Sequence, residues 1–295
     1  MTRDNRIDFN QLQAVVTGAT SQIGHFLLPK LVYLGCSVTA ISRHPPSHDH
    51  LIHWQQRDLL ADGLCIDSPT ILFHIAPLPT LATVLAKLPP NAPLLHVIAF
   101  SSTSRLTKLY SPSYQERQVA QQLAQAEIDV VQQCESRYIP WTIFRPTLVY
   151  GCGLDKNITF IAKFIRRFGF FPILGKGSGL RQPVHADDLA HACLQACKST
   201  RTFNRAYNLC GGETLTYHAM VEHIFHQLHK KPRIISISPS TFHLLSSLLQ
   251  WIPKVSNLSH AMITRMNENL CFDYSSAKRD FGYQPRVFQN IGMLR

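Results

Sequence analysis

At 295 residues, 45% of them hydrophobic, the chain can bury one large core with a smaller appendage, which argues against a disordered or fibrous protein. Its 29 basic against 18 acidic side chains leave a net charge of +11, which favours an anionic cofactor or substrate. Basic blocks interleaved with aromatics are missing, so nucleic acid is a poor partner. No uninterrupted apolar run is long enough to span a bilayer, and residues 1–13 are too polar for a secretory leader.

The first element carries the most information. Residues 14–43 read AVVTGATSQIGHFLLPKLVYLGCSVTAISR, an apolar strand, a tight turn, a helix and a second strand. Such a unit holds the diphosphate of a dinucleotide. Gly18 lets backbone approach the phosphates, and Gly24 lets the helix lie tight on the strand. The free N–H groups of the helix N-terminus, spanning Ala19, Thr20, Ser21, Gln22 and Ile23, then face an anion. Ser21 stands where a middle glycine is usual and keeps a hydroxyl for phosphate. At the end of the second strand are Ser42 and Arg43, where an NAD site usually places an acid. Arg43 pairs with a 2′-phosphate, so NADP(H) is expected ahead of NAD(H); the alternative is a solvated loop arginine.

Strands are expected near 14–17, 37–41, 71–75, 94–100 and 142–144, and helices near 23–34, 80–87 and 115–136. This alternation predicts an α/β fold, a doubly wound parallel Rossmann sheet, with residues 1–150 as its dinucleotide-binding core. After Gly151 the rhythm changes. Residues 151–295 are expected to complete the sheet and form a smaller C-terminal α/β lobe, with the ligand cleft between the two.

The eight cysteines lack a CxxC pair, and Cys193 and Cys197 share a helix face without partner ligands; buried thiols in a reducing cytoplasm are expected. His44, His48, His50 and His53 crowd one loop, and His223, His226 and His229 recur along one helix. Neither set has the spacing of a common zinc site, so no metal is assigned. Phe242, Leu244, Leu245, Leu248, Leu249, Trp251 and Ile252 form a dense apolar stretch, read as core or homodimer surface. The neighbouring Lys254 leaves peripheral membrane contact open.

Further motifs follow in order. TGATSQIG at 17–24 is similar to a TGxxGxxG turn, Arg57, Asp58 and Leu59 to a "GDL" after the third strand, and Phe73 to Ala76 to the fourth-strand motif. Ser101, Ser102 and Thr103 are similar to "SS(S/T)" at the end of the fifth strand. Residues 142–146 (TIFRP) with 149–151 (VYG), 181–190 (RQPVHADDLA), 207–212 and 273–285 continue the series. In this order they resemble the extended and atypical branches of the short-chain dehydrogenase/reductase superfamily, and the likeness runs over nearly the whole chain. The resemblance implies that Asp58 and Leu59 meet the adenine, that Ile75, Ala76 and Pro77 lie against the cofactor ribose, and that Ser101 and Pro146 border the nicotinamide. It implies a small-molecule substrate, often a nucleotide sugar, selected by the second lobe, where Arg181 and His185 are the candidate contacts and Arg166 and Arg167 read as solvated.

The chain departs from the family at its chemistry. Enzymes of this family use Tyr-x-x-x-Lys on the helix after the fifth strand, the lysine lowering the tyrosine pKa while the tyrosine moves a proton. Setting Ala126 and Glu127 on the "aE" that follows places Val119 at the tyrosine position and Leu123 at the lysine position. Tyr274 and Lys278 have the right spacing in the wrong place. The remaining catalytic candidates are Thr103, which can orient a carbonyl, and Tyr110 and Tyr114, with Lys108, His185 and water as other proton sources. Two functions stay open: an atypical NAD(P)-dependent oxidoreductase or epimerase-like enzyme, and a non-catalytic dinucleotide-binding regulator, assembly factor or structural subunit.

Overall fold

A computed structural model describes residues 12–46, 51–238 and 265–289. The apolar stretch 242–252, with Lys254, lies outside them, as do His48 and His50.

β1 (Gln13–Thr17), β2 (Ser37–Ser42), β3 (His53–Gln56), β4 (Thr70–His74), β5 (Leu94–Phe100), β6 (Trp141–Pro146) and β11 (Arg205–Leu209) form one seven-stranded sheet in the order β11-β6-β5-β4-β1-β2-β3. Every pairing in it is parallel. The chain winds outward from β1 through β2 to β3, then returns to pair β4 on the other side of β1. That reversal opens a crevice at the carboxyl ends of β1 and β4, where ligands of such sheets sit. β1, β4 and β5 are apolar along their length because both faces are covered.

One face packs under α1 (Gln22–Tyr33), α7 (Ala186–Cys197) and α9 (Ser275–Phe281), burying Leu27, Leu31, Phe73, Phe144 and Leu189. The other lies under α3 (Pro79–Lys87) and α5 (Tyr114–Glu135), burying Leu72, Leu81, Val97 and Val130. α2 (Leu59–Asp62) and α4 (Ser104–Thr107) are single turns at strand ends. A third core joins Tyr150, Ile161, Ile165, Ile173, Val221 and Phe225. It belongs to the lobe of α6 (Ile158–Phe168), α8 (Tyr217–Gln227) and the paired β8 (Phe171–Leu174) and β13 (Ile234–Ile237). Short pairs complete it: β7 (Val149–Tyr150) with β10 (Val184–His185), and β9 (Leu180–Arg181) with β12 (Leu215–Thr216).

The expected strands and helices fall within two residues of the observed ones at most ends. β3 was not legible from periodicity, since His53, Trp54, Gln55 and Gln56 show no clean alternation. Ion pairs fasten the C-terminal motif to the sheet. Arg286 donates to Asp188 at 2.7 Å and to Asp187 at 2.6 Å, while Lys30 reaches Asp187 at 2.9 Å from α1. Together these ties join α1, the first turn of α7 and the C-terminal motif.

Candidate functional site

The turn after β1 is built as a cradle. Gly18 has φ +66°, and a Cβ there would stand 2.5 Å from the amide nitrogen of Ala76. At Gly24 a Cβ would fall 2.1 Å from the carbonyl of Ala19, so this glycine sets how closely α1 meets its own turn. Ser21 caps α1 by accepting the Gly24 amide at 3.2 Å, which leaves its O–H to donate outward. The amides of Gln22 and Ile23 lie in the open first turn, beyond the reach of intrahelical bonding. Thr20 Oγ1 meets Ser42 Oγ at 3.1 Å and ties the turn to the end of β2. Arg43 is exposed there, with no ion pair among the described residues. Asp58 is exposed and caps α2 through Leu60 and Ala61, while Leu59 is half-buried. Ile75 and Pro77 border the crevice beside Ala76. Below them His74 is fully buried between Thr17 and Pro77, and burial lowers its pKa to about 4, so it stays neutral. Open amides, a close-packed glycine turn and an exposed cation at the end of β2 fit a dinucleotide.

Past β5 the chain turns its hydroxyls inward. Ser101 donates to Glu127 at 2.6 Å, and Glu127 is gripped by Arg145 at 2.5 Å and faces Arg105 at 3.3 Å. This buried ion cluster, missed from sequence, occupies the Ser101 hydroxyl expected at the nicotinamide. Thr103 is buried and donates to the Pro146 carbonyl at 3.1 Å, so a carbonyl substrate would find its O–H already used.

A cavity of about 610 Å³ opens between this edge and the lobe. Ser102, Thr103, Ser104, Thr107, Lys108 and Thr147 line the sheet side; Phe160, Phe164, Phe171, Arg181, Tyr217, Met220, Arg265 and Leu270 line the lobe side. The catalytic tyrosines expected from sequence are not there. Tyr110 is 90% exposed, and Tyr114 is turned to solvent, where Gln118 and Arg117 meet it. Both stand where the chain leaves α4 and enters α5, beyond the cavity wall. His185 is also corrected. It caps α7 by accepting the Asp187 amide and is buried between Phe26 and Tyr150, off the cavity. Tyr274 caps α9 and packs on Tyr283, also away from the cavity.

Arg181 does line the cavity, but as a buried residue. Its Nη1 donates to the carbonyls of Leu180 (2.8 Å) and Glu268 (2.7 Å), its Nη2 donates to the carbonyl of Arg265, and it stacks 5.6 Å from the Tyr217 ring. Burial lowers its pKa and, with Arg265 close by, no carboxylate neutralises it among the described residues. Arg265 pairs with Glu116 at 3.2 Å through Nη1, whereas its buried Nη2 has no acceptor among the described residues. Lys108 meets the same Glu116 at 3.5 Å. Arg265 escaped notice because its pairing with Arg181 spans 84 residues. Burial also raises the Tyr217 pKa to about 12.

All eight cysteines are free thiols, and no group of three metal-ligating side chains exists among the described residues. None of the described helices is long and apolar enough to cross a membrane.

Residues 103–210 match the model of the NAD dependent epimerase/dehydratase family. The fold is that of epimerase structures. Epimerase Mth375 from Methanothermobacter thermautotrophicus superposes with TM-score 0.71 at 15% identity, covering 97% of this chain and 91% of that one. UDP-glucose 4-epimerase from Thermotoga maritima, with UDP-glucose, gives 0.70 at 14%, covering 95% and 96%. MoeE5 in complex with UDP-glucuronic acid and NAD gives 0.71 at 17%, again covering 95% and 96%. The resemblance to extended short-chain dehydrogenase/reductases thus holds in sequence along 103–210 and in fold along nearly the whole chain.

Among curated proteins, the uncharacterized protein y4nG of Sinorhizobium fredii is 29% identical over 152 residues, which is 52% of this chain and 37% of that protein. The mitochondrial NADH dehydrogenase [ubiquinone] 1 alpha subcomplex subunit 9 of Arabidopsis thaliana is 29% identical over 97 residues, 32% of this chain and 24% of that protein. The matches thus span well under half of either relative.

Proposed function

We propose that the protein binds a dinucleotide, NADP(H) ahead of NAD(H), and acts on a small molecule in the adjoining cavity as an atypical oxidoreductase or epimerase-like enzyme. One observation carries this reading: a glycine-built phosphate cradle at the switch point of the sheet, next to a cavity of about 610 Å³ walled by a second lobe. The family match along 103–210 and the neighbours that hold NAD and nucleotide sugars support it. When bound, the nicotinamide exchanges a hydride with the substrate. The chain's own residues set the rest. Ser21, Gln22 and Ile23 hold phosphate, Arg43 meets a 2′-phosphate, and Arg181 with Arg265 draws an anionic group of the substrate into the lobe. Lys108 is the proton source here, because it alone among the side chains named from sequence for that role lines the cavity. The eight free thiols support a reducing, cytoplasmic setting.

A second reading is favoured by one specific departure. Val119 and Leu123 replace the proton-relay pair, and part of the chain is similar to a respiratory-complex subunit, which together support a dinucleotide-binding protein without turnover. NADPH titration followed by NADPH oxidation across carbonyl compounds and nucleotide sugars separates the two. Turnover that Lys108→Met abolishes without weakening NADPH binding establishes the enzyme. Tight NADPH binding with no turnover on any substrate establishes the second reading.

A further inference from the structure

The cavity is two-faced. Phe160, Phe164, Phe171, Met220, Met266 and Leu270 form an apolar patch on its lobe wall, beside the polar Lys156, Asn157, Gln182 and Tyr217. A sugar ring or base pressed on that patch would leave its donors and acceptors unpaired, a cost that an alkyl chain does not carry. The wall suits an apolar body. At one end of it stand Arg181, which pairs with no carboxylate among the described residues, and Arg265, and among the described residues no Asp or Glu lines the cavity. Glu116 is outside, already shared by Lys108, Arg265 and Ser111. That end calls for one anionic group.

The mouth continues the pattern. Phe160, Phe164 and Phe168 follow one another a turn apart along α6, with ring centroids 6.2 and 4.6 Å apart. Phe160 is 49% exposed while also lining the cavity, and Phe168 is 52% exposed. An aromatic ridge therefore leads from the surface to the apolar wall, flanked by the exposed Lys163, Arg166 and Arg167. Large exposed apolar side chains joined to a pocket mark a route for an apolar ligand, and flanking cations draw a negative one.

We propose that the cavity binds an anionic amphiphile of the fatty-acid class, its carboxylate on Arg181 and Arg265 and its chain along Phe164, Phe171 and Met220. This rests on the substrate cavity proposed above and names the class of molecule it takes, while the dinucleotide site next to it is tested apart. The volume of about 610 Å³ lies within the roughly 300–1,000 Å³ usual for small-ligand pockets.

The test is a fluorescence titration of the full chain with cis-parinaric acid, whose emission rises in apolar surroundings, with an NADPH titration run in parallel. Saturable binding is expected, displaced by palmitate and not by UDP-glucose or by a cationic amphiphile of equal chain length. Phe160→Glu, at a half-exposed position that folding tolerates, should weaken it about tenfold, and Arg265→Gln by a similar factor. NADPH affinity and circular dichroism should stay unchanged in both variants. Absent or unsaturable binding, displacement by UDP-glucose, or unchanged affinity in Phe160→Glu would overturn the proposal. NADPH failing to bind would instead strike the dinucleotide reading, whatever the fatty acid does.

Discussion

The two walls of the cleft solve opposite problems. On the sheet side two hydroxyls are spent within the fold: Ser101 on Glu127 and Thr103 on Pro146. On the lobe side cations stand beside apolar side chains, Arg181 pairing with no carboxylate among the described residues and Arg265 sharing Glu116. A wall whose hydrogen bonds are complete holds shape and presents backbone, as diphosphate binding needs. A wall with unspent charge selects what enters. The contrast teaches that binding a dinucleotide and choosing a partner molecule are separable in this fold, so the first can persist where the usual proton relay is gone.

The sharpest break to apply to the first wall is Gly18→Val. The φ of +66° and the 2.5 Å approach to Ala76 leave no room for a side chain. Stability should fall by roughly 3–4 kcal/mol, and NADPH affinity by at least about 100-fold, or roughly 2.7 kcal/mol. A thermal melt and a fluorescence titration read the two effects; near-normal NADPH binding would mean that this turn is not the phosphate site.

Glu127→Gln comes next. It leaves Arg145 and Arg105 facing each other without their shared carboxylate, and breaking a buried pair in this way costs about 3 kcal/mol. Urea unfolding at neutral pH measures it, and a loss near zero would show that the sheet wall is not held by this cluster.

Acid should loosen the sheet behind that wall. His96 donates from Nε2 to Thr142 at 2.9 Å, because the Thr142 hydroxyl already donates to Thr202. Burial lowers the pKa of His96, like that of His74, to about 4, below the ordinary value near 6.5. The neutral ring is the folded form. Each histidine's contribution is therefore whole above pH 6.5 and lost as pH falls from there towards 4, up to about 3 kcal/mol apiece. Urea midpoints between pH 7.5 and 4.5 should drop, and His96→Gln should flatten the slope; parallel slopes in both proteins would contradict the assignment.

The smallest effect belongs to the exposed Arg43. Arg43→Glu should cut NADPH affinity about tenfold while sparing NADH, a change of roughly 1.4 kcal/mol. Equal losses for both dinucleotides would remove the 2′-phosphate contact from the account.

Most of the Rossmann half was legible because its signals are local. Periodicity marks β1, β2, β4 and β5, and the spacing of Gly18 and Gly24 marks the turn. The second wall was not, because its parts meet only through the fold. Arg181 reaches the carbonyls of Arg265 and Glu268 far along the chain, and the aromatic ridge of α6 acquires meaning only once Met220 and Leu270 stand across from it. His185 lies in a family motif and Tyr110 upstream of the motif's tyrosine position, and neither lines the cavity, for the converse reason. Cap geometry turned one inward, and a surface turn put the other in solvent.

Arg181 fastens the segment bearing Met266 and Leu270 by gripping carbonyls at 265 and 268, and the same guanidinium faces the cavity. Any ligand that draws on this side chain therefore draws on the hinge-pin of its own enclosure. On the proposed binding mode, an anion that shifted Arg181 would strain the same bonds that hold this wall.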